Sequence, residues 1–123
     1  MPMNGRRKSP RYHCLGTASI QVLPESAENR FPARILNLSQ GGCLMVLRQP
    51  IPELLLDQVI ELLFEVKGFP FRLRARAKSF CPRRAVGFEF LDVSPRRRAQ
   101  LEELIEELAL ESSYIDRRAS DRQ

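Results

Sequence analysis

Apolar and polar residues alternate along this chain in short bursts, the signature of strands rather than of a long-helix bundle. Over 17–23, Ala18, Ile20 and Val22 fall on one face and Thr17, Ser19 and Gln21 on the other, which predicts a half-buried strand. A polar loop over 24–29 follows. Over 33–42, Leu36 and Leu38 share one face and Asn37 and Ser39 the other, before a turn at Gly41-Gly42. Residues 43–47 return as an apolar strand. Beyond a connector marked by Pro50 and Pro52, 58–66 and 71–80 flank Gly68 and Pro70 as a hairpin, and 84–91 forms a last strand with Val86, Phe88 and Phe90 inward. Six short strands in sequence predict a mainly β fold, a six-stranded antiparallel barrel.

The period then changes. Ser94-Pro95 reads as an N-cap followed by proline at the first helical position. Leu101, Leu104, Ile105 and Leu108 form an apolar stripe opposite Glu102, Glu103, Glu106 and Glu107, an amphipathic C-terminal helix that covers the barrel. The chain divides into a basic arm (1–16), a barrel plus helix (17–111) and a charged tail (112–123) expected to be flexible. One core suits 123 residues.

Composition removes several function classes. The greasiest stretch, 51–64, is cut by Glu53, Asp57 and Glu61, so no transmembrane helix is expected, and the basic start lacks the apolar run of a signal peptide. The expected compartment is the cytoplasm. Cys14, Cys43 and Cys81 are odd in number and widely spaced, which disfavours both a disulfide framework and a zinc ribbon. His13 is the single histidine, so neither a hydrolytic triad nor a metal site finds its partners, and the chain reads as a binding protein without catalytic residues, metal or cofactor.

Charge then points to a ligand. Lysine occurs only at 8, 67 and 78, so 17 of the 20 basic residues are arginine, whose planar fork meets phosphate or a guanine edge through two hydrogen bonds. Arg72, Arg74, Arg76 and Lys78 alternate with apolar residues. Glu61, Glu65 and Glu89 on neighbouring strands make that stripe a solvated face of mutual pairs. Arg96, Arg97 and Arg98 sit in the first helical turn, where the macrodipole gives them little. The arm, with Arg6, Arg7, Lys8 and Arg11 and no acidic residue, calls for an anion. Asn37 and Ser39 offer an amide and a hydroxyl about 7 Å apart, beside glycines that let a flat ligand approach the backbone. Taken alone, that segment also fits an ordinary strand end.

Together the motifs say more. Arg7-Lys8-Ser9-Pro10-Arg11 is an RxxxR, and Asn37-Leu38-Ser39-Gln40-Gly41-Gly42 is a [D/N]xSxxG about 26 residues later. With the VGFEFLDVSP segment and the closing helix, the chain from about Arg6 to Leu110 resembles the PilZ domain family, as a stand-alone single-domain member with a split-barrel type fold. The resemblance implies a receptor for cyclic di-GMP, a bacterial second messenger tied to motility and biofilm control. It implies that Arg7 and Arg11 take guanine and phosphate contacts, that Asn37, Ser39, Gly41 and Gly42 form the base-reading side, and that Arg6 favours an intercalated ligand pair, two per chain. Asparagine stands where many relatives have aspartate, which costs charge assistance. The expected mechanism is that ligand orders residues 5–14 onto the barrel and so recruits a separate protein partner, the chain being a monomer or weak homodimer. Two alternatives remain: a ligand-independent PilZ-like adaptor in pilus or motility machinery, and a small nucleic-acid-binding barrel. Arg118 to Arg122, preceded by Arg117, repeats the arm's spacing and reads as a charged tail.

Overall fold

The alternation seen in the sequence resolves into strands β1 (Tyr12–Gln21), β2 (Arg30–Leu38), β3 (Gly42–Leu47), β4 (Val59–Val66), β5 (Phe69–Cys81) and β6 (Ala85–Leu91). They are followed by one helix, α1 (Pro95–Asp121), in a computed structural model that describes residues 10–121, with side chains through Ser112. The strands close antiparallel in the order β1-β2-β3-β6-β5-β4, so the expected six-stranded barrel with a C-terminal helix is the fold. Closure leaves no unpaired strand edge. Inside, Phe64 stacks on Phe71 at 5.2 Å and on Phe90 at 6.1 Å between ring centroids. Ile20, Ile35, Met45, Ile60, Leu62 and Val86 fill the remaining volume.

Antiparallel alternation gives the barrel two ends. One end carries the entry to β1, the turn over 39–41, the Lys67-Gly68 turn and the start of α1. The far end carries the connections over 22–29, 48–58 and 82–84. At that end Ile51 and Leu54 turn inward as a plug, and Gln21 is fully buried with its amide bonded to Val22 O and Ser26 O while accepting from Arg30 Nε.

Two bulges correct the periodic reading. β2 carries one extra residue, Leu36, against β3, so Ile35 and Leu38 are both buried and Leu36 is half-buried rather than sharing the inner face with Leu38. β1 carries an extra residue against β2 between His13 and Gly16. That irregularity breaks the alternation by which a strand is recognised, and it hid the first half of β1: residues 12–16, assigned to the arm by sequence, are strand, with Tyr12 opposite Leu38 and His13 opposite Asn37. These two lie at the arm end; a third, between Ala77 and Ser79 of β5 against β6, lies toward the far end.

The start of α1 follows its signals. Arg97 N donates to Ser94 Oγ at 3.2 Å and Arg98 N to Ser94 O at 2.8 Å, a side-chain and backbone cap. Leu101, Leu104 and Leu108 are buried against the barrel. The helix does not stop near Ser112, however: it continues to Asp121, so most of the expected tail is helical backbone. No glycine or proline interrupts 112–121, and Ala119 and the arginines propagate a helix already nucleated by its packed first half. Lys67 in the β4–β5 turn pairs with Glu111, tying that turn to α1.

Candidate functional site

Register assembles the site. Because Tyr12 pairs with Leu38, Arg11 immediately precedes the paired register at the end of β2 that leads into the 39–41 turn. Residues some 26 positions apart in sequence thereby meet at one end of β2. Arg11 is half-buried, and its positive charge opposes the upward shift of the Cys43 thiol, which places it close to the barrel interior. Arg6 and Arg7 lie outside the described residues.

Asn37 sits on the outer wall between His13 of β1 and Leu44 of β3, half-buried. Its Oδ1 atom is buried and accepts no hydrogen bond among the described residues. A buried amide oxygen left in that state costs about 1–3 kcal/mol. It marks where a donor belongs.

Ser39 behaves differently. It is buried, its backbone N donates to Gly42 O at 2.9 Å, and its Oγ donates to the same carbonyl at 3.2 Å. The same oxygen accepts from Gly42 N at 3.1 Å and Gly41 N at 3.3 Å. The hydroxyl is committed to folding the turn. The two glycines also part company. A Cβ on Gly42 would lie 2.1 Å from Phe88 O, so β3 and β6 pack there only without a side chain. A Cβ on Gly41 would meet nothing within 4 Å, which leaves its surface open to a ligand. Gly41 O accepts from Phe90 N at 2.8 Å, which pins the turn to β6.

Cys14 and Cys43 lie beneath this surface. Burial pushes the Cys14 thiol up to about 11 and raises Cys43 further still, with Cys14 adding to the rise. Both stay protonated near neutrality and so are not nucleophiles. Among the described residues no cluster of metal-ligating side chains forms, and no helix is long and apolar enough to cross a membrane. Phe71, Phe88 and Phe90 lie in the core, which removes them as a platform for stacking bases.

The cationic stripe on β5 is partly neutralised, by the expected Glu61 and by two partners that periodicity did not identify, Glu25 and Asp57. Arg72 bonds Glu61 and also Glu25 from the far-end loop, each at 2.8 Å, and Lys78 bonds Asp57 at 2.9 Å. Glu65 and Glu89 form no ion pair with the stripe among the described residues.

Sequence comparison decides the family: the model of the PilZ domain matches residues 5–107. The chain belongs to the PilZ domain family. Solved structures agree on the fold. The PilZ domain of Escherichia coli YcgR with c-di-GMP superposes with a TM-score of 0.70 at 22% identity, over 96% of this chain and 99% of that one. The longer YcgR–c-di-GMP complex gives 0.74 at 21% identity, covering 93% of this chain, which spans half of YcgR's length. The Bacillus subtilis inhibitor of motility, MotI/DgrA, gives 0.67 at 18% identity over 87% of this chain and 56% of its own. No curated protein matches the chain in sequence. In this PilZ domain, then, the second motif divides into Asn37, whose acceptor has no partner among the described residues, and the residues that shape the turn beside it.

Proposed function

We propose that this PilZ domain is a receptor for cyclic di-GMP, not an enzyme. The orphaned Asn37 Oδ1 is the observation that carries this reading, because a guanine amino group is a donor of the kind it lacks. The half-buried Arg11, two residues before Asn37's register partner His13, suits the adjacent O6 and N7 acceptors of guanine or a phosphodiester oxygen. Open backbone at Gly41 admits the flat base. Arg7 and Arg6 bring further forks from the arm, and Arg6 favours two ligands per chain. Ser39 and Gly42 act by holding the turn, with Ser39 bonded inside it. Both YcgR structures are complexes with c-di-GMP, in keeping with this reading.

Signalling follows from the register. Tyr12 onward is already paired with β2, so the segment that ligand orders ends at Arg11 rather than at Cys14. Binding fastens residues 5–11 over the Asn37 wall, and the surface so made recruits a separate protein partner. The chain works as a monomer or weak homodimer in the cytoplasm.

Isothermal titration calorimetry with cyclic di-GMP tests the reading. Micromolar binding corresponds to about 8 kcal/mol, and three arginine contacts at roughly 1–3 kcal/mol each supply most of it. Binding by the wild type that is lost in both Arg7→Ala and Arg11→Ala supports the receptor; absence of binding at high ligand concentration makes the barrel an adaptor. Amide exchange is expected to slow on ligand addition in 5–11 and to stay constant in 12–14.

A further inference from the structure

The outer wall that carries Asn37 continues toward the far end of the barrel. Asn37, Leu44 and Gly87 form one row across β2, β3 and β6, and Arg34, Val46 and Ala85 form the next. Two residues along β3 separate the rows by about 7 Å. On the second row a cleft of about 370 Å³ is lined by Arg34, Val46, Leu47, Arg48 and Arg84. The three arginines are exposed, no carboxylate lines the cleft, and none of them forms an ion pair among the described residues.

Arg83 and Arg84, in the turn between β5 and β6, have φ of 65° and 62°. Two consecutive non-glycine residues in the left-handed region cost stability that glycine or asparagine would spare. Arginine at Arg84 therefore costs stability twice, through its backbone and through the like charges of Arg34 and Arg48. Asp57, Lys67 and Asp92 in other connections share this backbone region, so what singles Arg84 out is the coincidence of that backbone with an arginine cluster that no carboxylate among the described residues meets.

We infer that Arg34, Arg48 and Arg84 form a phosphate subsite that takes a phosphodiester of the cyclic dinucleotide seated on the Asn37 row. This rests on the receptor reading above and extends it to residues that neither motif contains. The cleft supplies three guanidinium forks, an apolar floor and no competing carboxylate. It lies on the same face as Asn37 and one row away, within reach of a ligand bearing two phosphodiesters.

The test titrates cyclic di-GMP, and separately a single-stranded oligonucleotide, into five proteins at one fixed low salt concentration. These are the wild type, Arg11→Ala, Arg83→Gly, Arg84→Gly and the triple variant Arg34→Ala/Arg48→Ala/Arg84→Ala. Arg84→Gly and the triple variant are expected to bind the dinucleotide at least tenfold more weakly. Arg83→Gly, which relieves the same backbone strain outside the cleft, is expected to stay within twofold of wild type. Both glycine variants are expected to melt higher than wild type, so weaker binding by Arg84→Gly cannot come from misfolding. Dinucleotide binding that depends on Arg11 but is unchanged in the triple variant overturns the subsite and leaves the receptor intact. Equal loss in Arg83→Gly and Arg84→Gly also overturns it, as does a triple variant that loses only oligonucleotide affinity. No dinucleotide binding by the wild type removes the receptor reading and the subsite with it.

Discussion

The barrel has two basic walls, and they differ in what meets their charge. On the β4–β5 wall, Arg72 is held by Glu61 and Glu25, and Lys78 by Asp57. On the β2–β3–β6 wall, among the described residues, Arg34, Arg48 and Arg84 share a cleft with no carboxylate, and the neighbouring Asn37 lacks a donor. The residue type is the same on both walls. An arginine stripe on a strand is thus no evidence of a ligand until its cross-wall partners are known: Arg76 Nε on β5 is also buried without a hydrogen bond among the described residues, so what sets the other wall apart is an unmet acceptor, Asn37 Oδ1, next to arginines with no carboxylate.

The sharpest contrast is between Arg11 and Arg72. Arg11→Ala is expected to weaken cyclic di-GMP binding by one to two orders of magnitude, since a bidentate arginine contact is worth about 1–3 kcal/mol. Calorimetry reads it, and retention of full affinity would move the ligand away from the Asn37 wall.

Next in size is the turn that supports this wall. Gly42→Ala is expected to destabilise the fold by about 2 kcal/mol or more, because its methyl must displace the Phe88 carbonyl rather than a flexible side chain. Gly41→Ala is expected to melt like wild type but bind ligand less well, because its methyl enters only open space. Denaturant unfolding and titration together separate them. Matching stabilities for the two variants would show that the strands do not approach at Gly42.

Asn37→Leu probes the unmet acceptor. Removing it is expected to raise stability of the free protein by about 1 kcal/mol, the usual penalty of an unpaired buried polar group, while weakening ligand binding. Loss of stability in this variant would mean that the oxygen is already satisfied. Asn37→Asp is expected to bind ligand more tightly by a few-fold through charge assistance.

The thiols beneath this wall add a pH signature. The Cys14 pKa is raised from 9.0 to about 11 in the folded protein. The unfolded chain therefore releases that proton first, so stability is whole below pH 9 and falls as pH rises toward 11. Urea midpoints measured across this window should decline, and less so in Cys14→Ala. The smallest effect belongs to the paired wall: Arg72→Ala is expected to cost no more than about 1 kcal/mol, shrinking with salt, and to leave ligand affinity unchanged.

Much of this was legible in the sequence. Strict alternation along 71–77 with arginine between, and the leucine spacing after Ser94-Pro95, wrote out β5 and the start of α1, because period and capping are local properties of the chain. RxxxR and NxSxxG pointed to the wall around Asn37 by resemblance. What the sequence could not carry was anything set by pairing across distance. The first half of β1 was hidden by a bulge, since one extra residue erases the period that reveals a strand. Ser39 looked like a ligand-reading hydroxyl until the turn closed and used it, and Gly42 like an open approach until β6 packed against it.

Taken by itself, the order of residues determined the fold class, the capped helix and the two motifs, because each depends on neighbours within a few positions. Only the closed barrel decided which arginines find a carboxylate, that Arg11 reaches the end of β2 next to the second motif, and that Arg34, Arg48 and Arg84 line one cleft. Register across strands brings together residues tens of positions apart, and no local period encodes which of them will meet.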